Sequence, residues 1–255
     1  MALQLETIPC LTDNFAFLIH DEDSGETACV DVPDATPVLA ALDRTGWRLT
    51  DILLTHHHPD HVQGVAALRA ATGAMVLGAA ADAHRLPPLD LALTTEMSFS
   101  IGRDHARIID VSGHTVGHIA FHFPDSGLVF TGDSLMAAGC GRLFEGTPAQ
   151  MWDSLGRLMA LPPATLVCSG HDYLTGNLAF AATLEPENSA LMSRIDRLAQ
   201  MRREGRLPMP SLLSEELATN PFLRAALPAM KARLDLPDAS DVTVFATIRA
   251  AKDKF

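Results

Sequence analysis

The chain has 255 residues, of which 47% are hydrophobic and 20% are charged, and its formal net charge is −12 at pH 7. This balance is typical of a globular protein and excludes a disordered or fibrous one. The negative charge repels phosphodiester backbones, and the sequence shows no basic patch, so we expect small-molecule partners and no nucleic acid.

Neither a targeting signal nor a membrane segment is visible. Residues 1–10 lack a basic region followed by an apolar stretch, and no later window approaches the roughly 18 uninterrupted apolar residues of a membrane helix. We therefore expect a cytoplasmic protein without a membrane partner. A monomer is expected as well. The four cysteines form no C-x-x-C pair, which predicts buried small side chains and not a zinc finger or redox dithiol.

Strand and helix patterns alternate along the first two thirds of the chain. Two apolar runs between Asn14 and Val32 flank the turn-rich DEDSGE and predict a strand hairpin. Helical patterns follow at about 35–46, 62–71 and 148–159, and further β-rich runs at about 52–55, 74–77, 106–111, 118–123, 127–132 and 165–169. Such alternation predicts an α/β core.

The pattern changes after Gly170, where strand-like runs stop and apolar residues recur at helical spacing. A helix is predicted from about Pro186 to Arg203, followed by Gly205, and the last helix is predicted to start at Ser240 or Asp241. The sequence thus predicts a larger α/β domain at residues 1–173 and a smaller helical domain at residues 174–255.

The segment THHHPDH, residues 55–61, directly follows the apolar run 52–54. If that run is a strand, its alternation sends His56 and His58 to the same side, and Asp60 and His61 follow in the turn. Taken alone, this segment could be a histidine-rich surface turn. Imidazole and carboxylate are, however, also the ligands that zinc, iron and manganese accept.

Three more candidate ligands end other apolar runs, namely His114, Asp133 and His171, and each comes directly after a glycine. Glycine allows tight turns and a close approach of the backbone to a site. Loops at strand ends are where α/β proteins place their functional groups. The repeated placement therefore favours one shared pocket over a surface turn.

Seven ligands exceed the three that a single catalytic zinc normally takes from the protein. The set therefore predicts two divalent metal ions, zinc first and iron or manganese as alternatives, with Asp133 as the shared ligand. Two such ions activate a bridging water as a nucleophile near neutral pH.

The segment THHHPDH resembles the T-H-x-H-x-D-H signature of the metallo-β-lactamase superfamily. A closer resemblance, to the glyoxalase II (hydroxyacylglutathione hydrolase) family, covers nearly the whole chain. The matching segments are IPCLTDNF (8–15), GHTVGH (113–118), TGDSL (131–135), GCGRLFEG (139–146), GHDY (170–173), NPFLR (220–224) and RAAKDKF (249–255).

This resemblance implies a four-layer αββα sandwich with a smaller C-terminal helical domain. It implies hydrolysis of S-(2-hydroxyacyl)glutathione thioesters by a metal-bridging hydroxide, the second step of methylglyoxal detoxification, with Asp60 and Asp133 as catalytic residues. Matched position by position, it assigns His56, His58 and His114 to the first metal, Asp60, His61 and His171 to the second, and Asp133 to both.

Glutathione carries two carboxylates, so its site needs cationic donors. The resemblance assigns substrate binding to Arg142, Phe144, His171, Tyr173, Asn177, Arg249 and Lys252. His57 and His118 are interpreted as groups that orient the ligands, and His20 as exposed or in a loop. Asp31, where the sequence departs from the usual family pattern, is expected to lie outside the site.

Two rival functions remain open at this point. One is a mononuclear iron dioxygenase of the same superfamily that acts on glutathione persulfide, although that family typically lacks the long helical C-terminal part. The other is a metal-binding module without catalysis.

Overall fold

Two six-stranded sheets packed face to face form the middle of the protein, in a computed structural model that describes residues 2–255. One buried cluster takes side chains from both sheets, and the rings of Phe17 and Phe130 meet within it at 5.5 Å. Helices cover the outer faces, so the predicted αββα sandwich is confirmed.

The strands of the first sheet follow one another in chain order, antiparallel at first and parallel from the third strand onward. The sequence did not predict the first strand, because charged Glu6 and Pro9 interrupt its apolar pattern; proline is tolerated at such an edge. The strands are β1 (Gln4–Cys10), β2 (Asn14–His20), β3 (Thr27–Val30), β4 (Asp51–Leu54), β5 (Met75–Ala79) and β6 (Leu91–Leu93).

Helices α1 (Ala35–Thr45), α2 (Pro59–Val62) and α3 (Val65–Thr72) follow strands of this sheet, and α1 and α3 pack on its outer face. The single helix predicted near residues 62–71 is divided at Gly64, and its first part begins earlier because Pro59 suits the first position of a helix. Asp60 and His61 therefore lie on a short helix, and their predicted place in a turn is wrong.

The second sheet has the strand order β14-β13-β10-β9-β8-β7. A capping box between Thr147 and Gln150 starts the helix on its outer face, where the sequence predicts it. The strands are β7 (Ser98–Ile101), β8 (Asp104–Asp110), β9 (Ile119–Phe123), β10 (Leu128–Gly132), β13 (Leu166–Ser169) and β14 (Ser211–Leu212), and β11 (Leu135–Met136) pairs with β12 (Gly139–Cys140); the helix is α4 (Pro148–Met159).

The remaining elements are mostly helical, as predicted, and α9 begins at Asp241 with Ser240 as its N-cap. Those at residues 174–184 and from residue 213 onward contribute to one apolar cluster with α4 and the outer face of the second sheet. Leu191 and Leu198, in the helix between them, belong instead to the central cluster, and β14 extends the second sheet. The division at residue 173 therefore stays a prediction. The helices are α5 (Leu174–Leu184), α6 (Ser189–Arg203), α7 (Leu213–Thr219), α8 (Pro228–Arg233) and α9 (Asp241–Lys252).

All four cysteines are buried free thiols, as the sequence predicts. Burial raises the pKa of Cys10 and of Cys140 to about 11 each, and that of Cys29 well above its ordinary value. Among the helices formed by residues 2–255, none is long and apolar enough to cross a membrane.

Candidate metal centre and adjoining cavity

Three imidazoles converge where β4 and β8 end. Nδ1 of His58 lies 3.1 Å from Nε2 of His56 and 3.0 Å from Nε2 of His114. Burial lowers the pKa of all three side chains, most strongly that of His56. Neutral imidazole is the form that binds metal, so this group of three is ready to act as a ligand set.

A second group lies beside the first. Nε2 of His171 is 3.3 Å from both Oδ2 of Asp60 and Nε2 of His61. Burial alone would lower the pKa of His171, but Asp133 and Asp60 together raise it to about 10. The pKa of His61 is likewise raised well above its ordinary value, against burial, by Asp133 and Asp31. The surroundings of this second group therefore favour positive charge.

Asp133 faces both groups. Its Oδ1 lies 3.4 Å from Nε2 of His61, and its Oδ2 lies 3.4 Å from Nε2 of His114 and 3.3 Å from Nε2 of His171. Burial would raise the pKa of this carboxyl, but His61 and His171 hold it well below its ordinary value. The structure thus brings all seven predicted ligands together, with Asp133 between the two groups.

The buried Oδ1 of Asp133 has no hydrogen-bond partner among the described residues. Such an atom costs about 1–3 kcal/mol, and more when charged, unless something compensates it. Within each group the candidate ligand atoms lie within 4.8 Å of one another. The orphaned oxygen and the convergent nitrogens fit divalent metal ions.

Hydrogen bonds on the far side of the rings orient three of these histidines. Nδ1 of His61 lies 2.8 Å from Oδ2 of Asp31, and Nδ1 of His114 lies 2.8 Å from the carbonyl oxygen of Arg142. Nδ1 of His171 lies 2.9 Å from Oδ1 of Asp13. Partners of this kind fix which ring nitrogen is free to bind metal.

Asp31 therefore belongs to the centre, and its expected place outside the site is wrong. It adopts a left-handed backbone conformation, with φ of 54°, directly after β3. Its two carboxylate oxygens also accept hydrogen bonds from the backbone N–H and the hydroxyl of Thr55, at 2.9 and 2.8 Å. The role depends on the parallel pairing of β3 with β4, which brings the two strand ends together and which the sequence pattern alone does not show.

The other histidines have separate roles. His57 points away from both groups, with Nδ1 2.8 Å from Asp82. His118 stacks on His56 at 4.5 Å and accepts a hydrogen bond from the backbone N–H of Asp133 at 3.1 Å, so it supports the centre from behind. The placement of His20 as exposed or in a loop is wrong, because it ends β2 and is buried.

A cavity of about 660 Å³ opens next to the metal groups, a size typical of small-molecule sites. Tyr173 stacks on His171 at 4.7 Å, and the ring of Phe144 lies 5.2 Å from that of His114. Phe255, which the sequence did not suggest, also lines the cavity. All of the predicted substrate-binding residues are among its walls: Arg142, Phe144, His171, Tyr173, Asn177, Arg249 and Lys252.

Of the three cationic side chains predicted to bind substrate, Arg249 and Lys252 already form contacts with other protein groups. The Arg249 guanidinium donates to the carbonyl oxygen of Cys140 at 2.8 Å and pairs with Asp253 at 2.9 Å. The guanidinium of Arg142 is exposed and takes part in no ion pair within residues 2–255. Arg142 is therefore the cation most available to an anionic ligand.

The Lys252 ammonium lies between two aromatic rings, 5.4 Å from the centroid of Phe180 and 5.0 Å from that of Phe255. It donates to the carbonyl oxygen of Gly176 at 2.9 Å, which leaves other N–H donors free. Burial lowers the pKa of this ammonium. A carboxylate bound here would be attracted in a partly dry environment, where charge–charge attraction is stronger than in water.

Replacing Gly170 by alanine is expected to weaken metal binding by about 10- to 100-fold, the usual cost of disturbing the groups that orient a ligand. A Cβ at Gly170 would lie 2.5 Å from Cε1 of His61 and 2.6 Å from Oδ1 of Asp133. Gly156→Ala is the matched control, because a Cβ there meets nothing within 4 Å. Competition with a zinc indicator measures the affinity, and equal affinities for both variants would contradict the expectation.

Two family models together match nearly all of the chain. The model described as metallo-beta-lactamase superfamily matches residues 22–171, and the one described as hydroxyacylglutathione hydrolase C-terminus matches residues 172–255. A protein from Fuscovulum blasticum named hydroxyacylglutathione hydrolase is 71% identical over 255 residues, with 100% of both chains covered. One of the same name from Cereibacter sphaeroides strain ATCC 17025 is 64% identical, again with 100% of both chains covered.

Solved structures share the fold. The structure titled TTHA1623 in a di-iron-bound form matches with a TM-score of 0.62 and 27% identity, covering 86% of this chain and 100% of that one.

Proposed function

The chain belongs to the hydroxyacylglutathione hydrolase family of the metallo-β-lactamase superfamily, and from this premise we propose that it hydrolyses S-(2-hydroxyacyl)glutathione thioesters such as S-D-lactoylglutathione. The products are glutathione and a 2-hydroxy acid. One observation carries the proposal: the seven metal-type ligands lie at one side of a cavity whose walls also hold Arg142 and Lys252.

We propose that two divalent ions occupy the centre, with zinc the first candidate and iron or manganese the alternatives. His56, His58 and His114 would hold one ion, Asp60, His61 and His171 the other, and Asp133 both. The position of Asp133 between the groups supports this count, as does the di-iron form of the structural relative. When bound, such ions polarise a carbonyl and lower the pKa of a coordinated water.

The protein's own side chains bind and orient the thioester. The two carboxylates of glutathione fit the free guanidinium of Arg142 and the ammonium of Lys252. Tyr173 is 42% exposed, so its phenol is within reach of a ligand. Partial burial raises the pKa of this phenol to about 12, and the phenol therefore stays neutral and offers its O–H as a hydrogen-bond donor. The ring of Phe144 meets that of His58 edge-on and that of His114 at a tilt, and it covers the reacting end of the substrate.

Asp60 acts as a ligand in this proposal and not as the main proton acceptor. The hydrogen bond to His171 and the charge of His61 hold the pKa of its carboxyl below its ordinary value, which makes it a weak base. Asn14 fixes the same carboxylate with a hydrogen bond of 3.1 Å to Oδ2. The thiolate that leaves has a pKa of about 8–9, so no dedicated acid is needed for its departure.

The test is release of free thiol from S-D-lactoylglutathione by the purified, metal-loaded protein. We expect turnover that stops on chelation and returns on adding zinc, iron or manganese. A protein that carries its full metal content and releases no thiol from any thioester would contradict the proposal and support the non-catalytic module.

A second experiment tests whether the cavity binds the glutathione part of the substrate. Arg142→Ala is expected to raise KM for S-D-lactoylglutathione by roughly tenfold, from the loss of one charge-assisted contact, while leaving turnover of a small thioester without glutathione unchanged. Arg103→Ala, 80% exposed at its side chain and outside the cavity, is the control. Equal KM values for all three proteins would contradict the assigned role of Arg142.

The persulfide dioxygenase is not favoured, because full-length relatives at 53–71% identity carry the name hydroxyacylglutathione hydrolase. Oxygen consumption with glutathione persulfide by protein holding one iron per chain would reverse this choice. A cytoplasmic location, a monomeric state and the absence of nucleic-acid and membrane partners are further parts of the proposal.

A further inference from the structure

Residues 136–140 comprise the last residue of β11, the two-residue turn at 137–138 and β12, and are called the 136–140 turn below. This segment separates Asp133 from Arg142 in the chain. The shape of this segment therefore determines how far Arg142, the cation without an ion pair among residues 2–255, lies from Asp133, the proposed shared ligand. Ala138 at its centre has φ of 53°, a left-handed conformation that costs a non-glycine residue energy and needs support from its surroundings. The turn cannot be expected to hold this shape by local preference alone.

Side chains from the C-terminal helical part bind the backbone of every residue in this turn. Nδ2 of Asn220 donates to the carbonyl oxygens of Met136 at 3.2 Å and Gly139 at 2.9 Å. Oε2 of Glu216 accepts from the backbone N–H of Ala138 at 2.7 Å. Asn177 donates to the carbonyl oxygen of Ala137 at 2.9 Å, and Arg249 donates to the carbonyl oxygen of Cys140 at 2.8 Å.

Glu216 and Asn220 do not reach the cavity, and both are completely buried. They are also joined to each other, since Nδ2 of Asn220 lies 3.2 Å from Oε2 of Glu216. Oε1 of Glu216 accepts from the guanidinium of Arg194, which is 2% exposed. Glu216 is thus fixed from α6 by Arg194 and presents its second oxygen to the turn.

The position of the turn affects both the metal centre and the cavity, because the residues that follow the turn contact groups in each. The carbonyl oxygen of Arg142, two residues beyond the turn, accepts from Nδ1 of His114 in the tautomer that leaves Nε2 free for metal. The N–H of Gly141 donates to the carbonyl oxygen of Ser134 at 3.1 Å, and a Cβ at Gly141 would lie 2.0 Å from the carbonyl oxygen of Asp133. A shift of the turn therefore moves the cation and an orienting contact of a ligand together.

We propose that Glu216, with Asn220, is a positioning residue of the active site: it holds the 136–140 turn through the Ala138 N–H, and so sets where Arg142 stands relative to the metal ligands. This inference rests on the proposed function for its kinetic consequence only. The hydrogen bond and its effect on the turn can be measured without any substrate.

Removing Glu216 alone would take away the only fully buried carboxylate that pairs with Arg194 among the described residues and leave the partly exposed Glu215 at 3.2 Å. Breaking a buried ion pair costs about 3–5 kcal/mol and is enough to unfold many chains. The test therefore compares two double variants that both remove the charged pair. Arg194→Met with Glu216→Gln keeps an oxygen that can accept from Ala138. Arg194→Met with Glu216→Leu keeps the burial and removes that acceptor, so the two proteins differ in the hydrogen bond under test.

We expect the variant with glutamine to resemble the wild type. In the variant with leucine, KM for S-D-lactoylglutathione should rise by roughly tenfold, as the loss of one charge-assisted contact predicts, while kcat measured in excess zinc changes little. Zinc affinity should fall, because the carbonyl oxygen that orients His114 moves with the turn. Amide exchange across residues 134–142 should quicken, with exchange across α1, on the outer face of the other sheet, as the internal control. Asn220→Ser is a second, single variant with the same expected direction.

Unchanged KM and unchanged exchange across the turn in the leucine variant would overturn the proposal. A lower melting temperature with no change in either quantity would do the same, because it would show a merely structural role. Should the wild type prove inactive on every thioester, the proposed function fails, and the exchange experiment still decides whether Glu216 holds the turn.

Discussion

Asp133→Ala is expected to abolish thioester hydrolysis, with kcat falling by at least about 1,000-fold, because a carboxylate facing both ligand groups must matter more than an orienting partner, whose loss costs about 10- to 100-fold. Its two oxygens lie 3.3–3.4 Å from nitrogens of His61, His114 and His171. Without the carboxylate, the two sets of ligands lose the group that is proposed to serve both. Thiol release and metal per chain, measured on one preparation, check the result.

The control for this experiment is Asp153→Ala, which also removes an aspartate, but one that is 66% exposed on α4 and pairs with the surface residue Arg157. Surface changes of this kind alter stability by about 0.5 kcal/mol or less. Circular dichroism should show both variants folded. An Asp133→Ala protein with wild-type kcat and two ions per chain would contradict the proposed centre.

Asp31→Asn should weaken metal binding at the second group by about 10- to 100-fold, as expected for a carboxylate that orients a histidine ligand. Oδ2 of Asp31 accepts from both His61 and Thr55. If the amide nitrogen takes this position, it faces Nδ1 of His61 as a donor, and the ring must then move its proton to Nε2. That nitrogen is no longer able to bind metal.

Asparagine is the suitable replacement at position 31, because it tolerates the left-handed backbone conformation that Asp31 adopts. Asp34→Asn is the matched control, since Asp34 caps α1 through Thr36 and asparagine caps a helix equally well. Activity of Asp31→Asn should recover in excess zinc. Zinc affinity identical to that of the control would show that Asp31 does not orient His61.

The sequence was sufficient to predict that the candidate ligands lie together, because most of them stand at the ends of apolar runs, beside a short motif. His56 and His58 follow β4, and His114, Asp133 and His171 follow later strands. Their meeting point required only the rule that loops at strand ends carry functional groups in α/β folds. The αββα layering followed from the family resemblance and from the alternation of strands and helices.

The supporting residues could not be predicted in the same way. Asp31 acts on His61 only through the pairing of β3 with β4, which a linear pattern does not reveal. Glu216 and Ala138 are 78 positions apart and meet because α7 packs behind the second sheet. Short elements such as β14, with two residues, carry no detectable periodicity.

The burial of all four thiols has a consequence for a protein whose proposed product is glutathione. A thiol exchanges with disulfides as its thiolate, and access to the sulfur is also required. Even Cys140, beside the cavity, is 5% exposed with its pKa raised to about 11 by burial. Residues 2–255 therefore offer no accessible thiol on which oxidised glutathione could form a mixed disulfide. The enzyme should keep its activity under oxidising conditions that modify thiol-dependent enzymes.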